Sequence, residues 1–162
     1  MATRYEHTIT WEAPAAAVYA MITDPAYQEQ RSQAGSPVRA ESSVTMTGAG
    51  ATISVFRQLS IDPPGFLKNF VGDSIGIQET QTWNSPTGAT LLVEILKQPG
   101  DVRGTLRLSE VGSSTAVTVN AEIAVKVPLI GGKVEGYVAS ILDRLLTKDE
   151  EIGREWLAGG GG

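Results

Sequence analysis

The sequence predicts an α+β protein of the helix-grip kind: a curved seven-stranded antiparallel sheet around one long C-terminal helix, with two short helices after the first strand. Three observations carry this reading. Six stretches between residues 38 and 127 alternate apolar and polar side chains with a period of two, and turn-forming segments separate them. After Pro128 the period lengthens to that of a helix and holds to Leu157. No helical crossover lies between successive strands, as parallel pairing would require.

The first strand is read from Tyr5, His7, Ile9 and Trp11, which alternate with Arg4, Glu6, Thr8 and Thr10. Pro14 suits the first position of a helix, where its missing N–H is no loss, and Ala17, Val18, Met21 and Ile22 place that helix over Ala15 to Thr23. Asp24-Pro25 stops it, and a second short helix is expected over Ala26 to Gln33. The six later strands are 38–47, 51–59, 74–83, 89–97, 102–110 and 115–127, divided by segments such as Gly48-Ala49-Gly50, Asn84-Ser85-Pro86-Thr87-Gly88 and Gly112-Ser113-Ser114. In the last strand Val117, Val119, Ala121, Ile123, Val125 and Val127 share one face, and Thr118, Asn120, Glu122 and Lys126 the other.

Ile130, Val134, Tyr137, Val138, Ile141, Leu142, Leu145 and Leu146 form the stripe of the closing helix. From Leu129 to Leu157 it would span about 43 Å at 1.5 Å per residue, enough to cross several strands. The polar stretch Thr147 to Glu151, followed by Ile152, Trp156 and Leu157, predicts that its last turns overhang the sheet. One domain over residues 1–158 is expected, with 159–162 as a disordered glycine tail.

Composition narrows the function. Hydrophobic residues are 41% and charged residues 19% of the 162, an ordinary globular balance. There are no cysteines, which removes disulfides, thiolate nucleophiles and cysteine metal sites. Met1 to Thr10 has no secretory h-region and no apolar run reaches membrane length, so a cytoplasmic protein without stable membrane insertion is expected. The net charge of −5 comes without basic clusters, which argues against nucleic acid as a partner.

Two motifs fail on context. Gly72-Asp73-Ser74-Ile75-Gly76 has the spacing of a nucleophile elbow, but a strand pattern follows it and the single histidine precedes it. Gly131 to Gly136 has phosphate-loop spacing, but Tyr137 and Val138 stand where Lys and Ser/Thr belong. No catalytic group, metal or cofactor is assigned. Asp149, Glu150 and Glu151 are consecutive, fan around the helix, and are read as a solvated face. His7, alone on an apolar strand face, is read as a packed, hydrogen-bonded residue.

The candidate ligand residues interrupt inward stripes. Ile53, Val55, Arg57 and Leu59 share a face, as do Ile75, Ile77, Glu79, Gln81 and Trp83. If the connection between these strands is centred near Lys68, Arg57 lies opposite Glu79, and the pair serves as a polar handle for a ligand or as a structural ion pair. Phe66, Leu67, Phe70 and Val71 read as one or two amphipathic turns in that connection, a gate or a fixed cap, with Phe66 and Phe70 as candidate contacts. Gly132, Gly136 and Tyr137 open the last helix. The missing side chains either leave room for a ligand beneath it or allow close packing on the sheet.

In the order of these elements the chain resembles the START-like, or SRPBCC, superfamily, and within it the bacterial family called domain of unknown function 2505. The residues that carry the resemblance are Tyr5-Glu6-His7, Ala13-Pro14 with Val18-Tyr19 and Thr23-Asp24-Pro25, Glu79 to Trp83, Val127 to Lys133, and Glu155-Trp156-Leu157. It covers almost the whole chain and implies a fold and a pocket, with no catalytic residues to transfer. The expected function is therefore binding or carrying of a small hydrophobic, lipid-like or polyketide-like molecule between sheet and last helix. Two alternatives stand beside it: a cyclase or lyase using Glu79, Arg57, His7 or Tyr137, and a protein-interaction module docking through its exposed sheet face or its overhanging helix end with Trp156 and Leu157.

Overall fold

A computed structural model describes residues 2–159. β1 (Ala2–Trp11) is followed by α1 (Ala15–Ile22) and α2 (Pro25–Ser32), then β2 (Arg39–Thr47) and β3 (Gly50–Ser60). α3 (Gly65–Val71) leads to β4 (Ser74–Ser85), β5 (Gly88–Ile95), β6 (Gly100–Val111), β7 (Ser114–Val125) and α4 (Gly131–Ala158). The strands form one antiparallel sheet in the order β1-β7-β6-β5-β4-β3-β2, so every consecutive pair from β2 to β7 is adjacent and β1 closes on β7. This is the predicted α+β helix grip.

The alternation read from the sequence decides which face is covered. On β7 Val117, Val119, Ala121, Ile123 and Val125 are buried, and on β3 Ile53, Val55, Arg57 and Leu59. Each fully buried aliphatic side chain contributes roughly 1.5–3 kcal/mol. α4 lies against β1 and β7, and α2 against β2 and β3, leaving the concave face of the middle strands beneath the space between the two helices.

Several boundaries differ from expectation for local reasons. Pro14 is the N-cap of α1, in extended conformation, rather than its first helical residue. Asp24-Pro25 ends one helix and begins the next: the Asp24 side chain accepts from the Ala26 N–H at 2.9 Å, and Pro25 takes the position where no N–H is needed. The β3–β4 ladder closes at Ser60–Ser74, which centres the connection on Leu67 and not Lys68. Arg57 therefore stands opposite Ile77, and Glu79 opposite Val55, a register two residues from the one expected.

The last turns of α4 pack on Trp11 at the end of β1 and on α2 instead of projecting free. Trp11 donates through its indole N–H to the Glu150 carbonyl at 2.9 Å, and Trp156 meets Tyr27 edge to face at 5.7 Å. A Cβ on the buried Gly153 would collide with the Trp11 ring, so glycine at this position is what lets the helix come down onto β1. Gly159 is the C-cap of α4, and the rest of the expected glycine tail, 160–162, lies outside the described residues.

Candidate functional site

Two strands and two helices bring seven polar side chains together inside the grip. β3 supplies Arg57, β4 supplies Glu79, Gln81 and Trp83, α2 supplies Gln28 and Arg31, and α4 supplies Asp149. The α2 face that turns inward is Tyr27, Gln28, Arg31 and Ser32, almost all polar, so hydrophobic periodicity does not mark it. On α4 the buried positions are Val134, Glu135, Val138, Ile141, Leu145, Asp149 and Gly153, which puts Asp149 on the apolar stripe one turn after Leu145. Asp149 is buried to 5% exposure; it is not part of a solvated face with Glu150 and Glu151.

Arg31 is the centre of the cluster. Its Nη2 donates to Glu79 Oε2 at 2.6 Å, its Nη1 to Asp149 Oδ2 at 2.9 Å and Glu79 Oε1 at 3.3 Å, and its Nε to Gln28 Oε1 at 2.8 Å. Gln81 donates to Glu79 Oε2 at 2.6 Å and accepts from the Trp83 indole at 2.9 Å. Arg57 donates to the carbonyls of Arg31 at 2.8 Å and Ser32 at 3.2 Å, and its Nη1 lies 3.7 Å from Glu79 Oε1. The expected Arg57–Glu79 ion pair thus exists diagonally across the ladder, but Arg31 is the closer partner of Glu79, and sequence reasoning did not find it.

Electrostatics follow from burial and this geometry. Burial pushes the Glu79 carboxyl upward, but Arg31 and Arg57 outweigh it and bring the pKa down to about 2. Burial works against the charge on Arg31, yet Glu79 and Asp149 hold its guanidinium protonated and its pKa raised. Asp149 is pushed above the usual carboxylate range by burial, which Arg31 and Arg57 offset only in part. Asp149 Oδ1 is the one buried side-chain polar atom among the described residues without a hydrogen-bond partner.

This cluster forms one wall of a cavity of about 80 Å³. The remaining walls are mostly apolar, with Ile9 and Trp11 from β1, Leu91 and Val93 from β5, Val117 and Val119 from β7, and Leu142 and Leu145 from α4, and with Tyr5 of β1 and Tyr27 of α2 also lining the space. Of the expected ligand residues, Arg57, Glu79, Gln81 and Trp83 are brought together here. Phe66, Phe70, Gly132, Gly136 and Tyr137 are not. Phe70 and Tyr137 line a separate space of about 20 Å³ between α3 and the start of α4, and Phe66 is exposed beneath the Lys133 ammonium, 4.9 Å from its ring. Gly132 and Gly136 face solvent with nothing within 4 Å of where a Cβ would stand, so they neither make room beneath the helix nor pack on the sheet. Gly131 is the glycine that approaches the sheet, at the Val125 carbonyl.

His7 shares the inner face of β1 but does not line the cavity: its Nδ1 lies 3.4 Å from Asp143 Oδ1, which also accepts from the Tyr5 hydroxyl at 2.6 Å. Ser74 opens β4 in extended conformation, with no helix behind it.

Residues 6–157 match the family described as protein of unknown function (DUF2505). The chain belongs to this family. Curated relatives include uncharacterized proteins of Mycobacterium bovis and Mycobacterium tuberculosis, each 25% identical over 100 residues. The matched region spans 58% of this chain and 58% of the length of those relatives. Among solved structures the family member is similar to TTHA0849 from Thermus thermophilus (15% identity, 93% of this chain and 97% of that one, TM-score 0.62). It is similar also to a START superfamily protein from Mycobacterium smegmatis (15%, 95% and 98%, 0.59) and to the Zhui aromatase/cyclase from a Streptomyces species (13%, 99% and 94%, 0.57). These likenesses show a START-like fold. No helix among the described residues is long and apolar enough to cross a membrane.

Proposed function

We propose that this DUF2505 protein binds a small, predominantly apolar molecule in the cavity between the sheet and α4. The observation that carries the reading is the cavity itself: apolar walls from β1, β5, β7 and α4, with polar groups gathered at one end. About 80 Å³ is roughly half of the ~150 Å³ in which an engineered apolar cavity holds benzene, so a larger ligand enters only as side chains move. Leu91, Leu142 and Leu146 line the cavity and are only half-buried, which makes them the side chains best placed to swing out. The START-like fold is compatible with such a role, and a structural neighbour being an aromatase/cyclase keeps polyketide-like molecules among the ligands to try.

Binding is favoured over acid–base catalysis by Glu79, Arg57, His7 or Tyr137 because none of these four is a free acid or base in the cavity. Glu79 is held ionised by two guanidinium groups with both oxygens occupied, a poor state for a general base, and His7 and Tyr137 lie outside the cavity. Docking of a protein through Trp156 is disfavoured by its packing on Tyr27.

Uptake of an apolar fluorescent probe by the folded protein tests the proposal. The wild type is expected to bind, and Val119→Phe, which fills the cavity from β7, to fold with unchanged circular dichroism and lose most of the affinity. A probe bound equally well by Val119→Phe would place its site elsewhere and overturn the reading.

A further inference from the structure

The polar end of the cavity contains one unmet acceptor. Asp149 Oδ2 is held by Arg31, while Oδ1 of the same carboxylate is buried, has no partner among the described residues, and belongs to a side chain that lines the cavity. The other members of the cluster are engaged within it. Both Glu79 oxygens accept, Gln81 and Gln28 each use an amide oxygen and an amide nitrogen, and the two guanidinium groups are turned to Glu79, Asp149, Gln28 and the carbonyls of Arg31 and Ser32. A buried acceptor left unpaired is costly, and each such atom in a folded protein calls for a donor.

We infer that Asp149 is the recognition point of the cavity, accepting at Oδ1 a hydrogen bond from the hydroxyl of a neutral, otherwise apolar ligand. The inference rests on the reading of the cavity as a ligand site and adds the ligand's class, an alcohol or phenol with its hydroxyl at the buried end. Charge decides against the other small polar heads. Arg31 and Arg57 balance Glu79 and Asp149, so a carboxylate or ammonium entering this cluster would add an uncompensated charge in a dry site. A ketone or ester carbonyl brings a second acceptor to Oδ1 of the carboxylate. A hydroxyl brings the missing donor with no net charge, and the bond it forms offsets the burial that holds the Asp149 carboxyl above its usual range.

Single-ring probes test this with the least disturbance of the cavity: phenol, toluene and benzoate, titrated into the wild type and followed by ligand-observed NMR. Phenol is expected to bind at least tenfold tighter than either of the others. It should also shift the side-chain carboxyl ¹³C resonance of Asp149, which toluene should leave in place. In Asp149→Asn the amide oxygen turns to Arg31 and an N–H₂ group faces the cavity, so the advantage of phenol over toluene should fall below threefold and benzaldehyde should gain on toluene. The ¹³C comparison is made on wild-type protein and does not depend on the variant folding. Equal affinities for phenol and toluene would leave the cavity a binding site but assign Oδ1 to a buried water, overturning the inference alone. Preference for benzoate would overturn it in favour of an anionic ligand. Absence of binding by all three would overturn the inference together with the function on which it rests.

Discussion

Arg31 Nη1 stands 2.9 Å from Asp149 Oδ2, and this buried contact ties α2 to α4 where the two helices converge over the sheet. The same guanidinium holds Glu79 from below, so one side chain joins both helices to the strand layer. Replacing Arg31 by Met leaves two carboxylates in a dry environment with Arg57 as their remaining cation. The expected loss is about 3–5 kcal/mol in urea unfolding, the range for breaking one side of a buried pair. Adding Asp149→Leu to Arg31→Met should recover part of it, with a coupling of at least about 1 kcal/mol between the two sites. Strict additivity would show that the two side chains stabilise the fold independently.

The depressed pKa of Glu79 makes a prediction for acid. A carboxyl ionised more readily in the folded than in the unfolded chain stabilises the fold fully above its unfolded pKa, near 4.5, and loses that contribution as pH falls through the folded value of about 2. The contribution at stake is on the order of 3 kcal/mol. Asp149 acts in the opposite sense: its raised pKa favours the fold below the ordinary aspartate value and disfavours it as pH rises. In Glu79→Gln the loss of stability between pH 4.5 and 2 should therefore be smaller than in the wild type, as read from urea midpoints at each pH. An unchanged acid limb would mean that other carboxyls govern it.

How far the sequence reaches can be seen in these same residues. Glu79, Gln81 and Arg57 were found because each is a polar interruption in a period-2 apolar stripe, and the pleat leaves only one face for them. Asp149 stands on the 3.6-residue stripe of α4, four residues after Leu145, and that signal was present. It was hidden by Glu150 and Glu151, which make the three acids look like one solvated run. Arg31 gave no signal, because the buried face of α2 is polar by composition and only the tertiary cluster explains it. The β3–β4 register was lost in the 13 residues between Ser60 and Ser74, where α3 and not a tight turn sets the pairing.

Glycines that look alike in sequence should behave oppositely on α4. Gly153→Ala drives a Cβ into the Trp11 ring and should destabilise the protein by about 1–3 kcal/mol, with a change in tryptophan emission. Gly136→Ala adds a methyl where nothing lies within 4 Å and should stabilise it by roughly 0.5–1 kcal/mol. Gly136→Leu should leave probe uptake unchanged, since this position faces solvent. Thermal unfolding of the two alanine variants decides the matter. A gain at 153 or a loss at 136 would contradict the packing described for this helix.

The short helix α3 is the element most ready to open. Its seven residues are fewer than an isolated helix needs to persist in water, and Pro64 caps it without a side-chain hydrogen bond. It is held by Leu67 and Val71, which are buried against Val125 and Val134, while Phe66 and Phe70 are 53% and 49% exposed. Its amides bond only locally, Leu67 and Lys68 to the Pro64 carbonyl and Gly72 to that of Lys68, whereas the flanking β3 and β4 are each paired on both sides. Hydrogen exchange at Leu67, Lys68 and Gly72 is therefore expected to be at least a hundredfold faster than at ladder-bonded amides of Ile53 to Arg57. The Lys133 ammonium over the Phe66 ring is a clamp from α4 worth about 0.5–1 kcal/mol, so Lys133→Ser should speed exchange in α3 by roughly two- to fivefold and leave β3 unaffected. Protection in α3 equal to that of β3, insensitive to Lys133→Ser, would show instead that the segment is a fixed cap opening only when the whole sheet does.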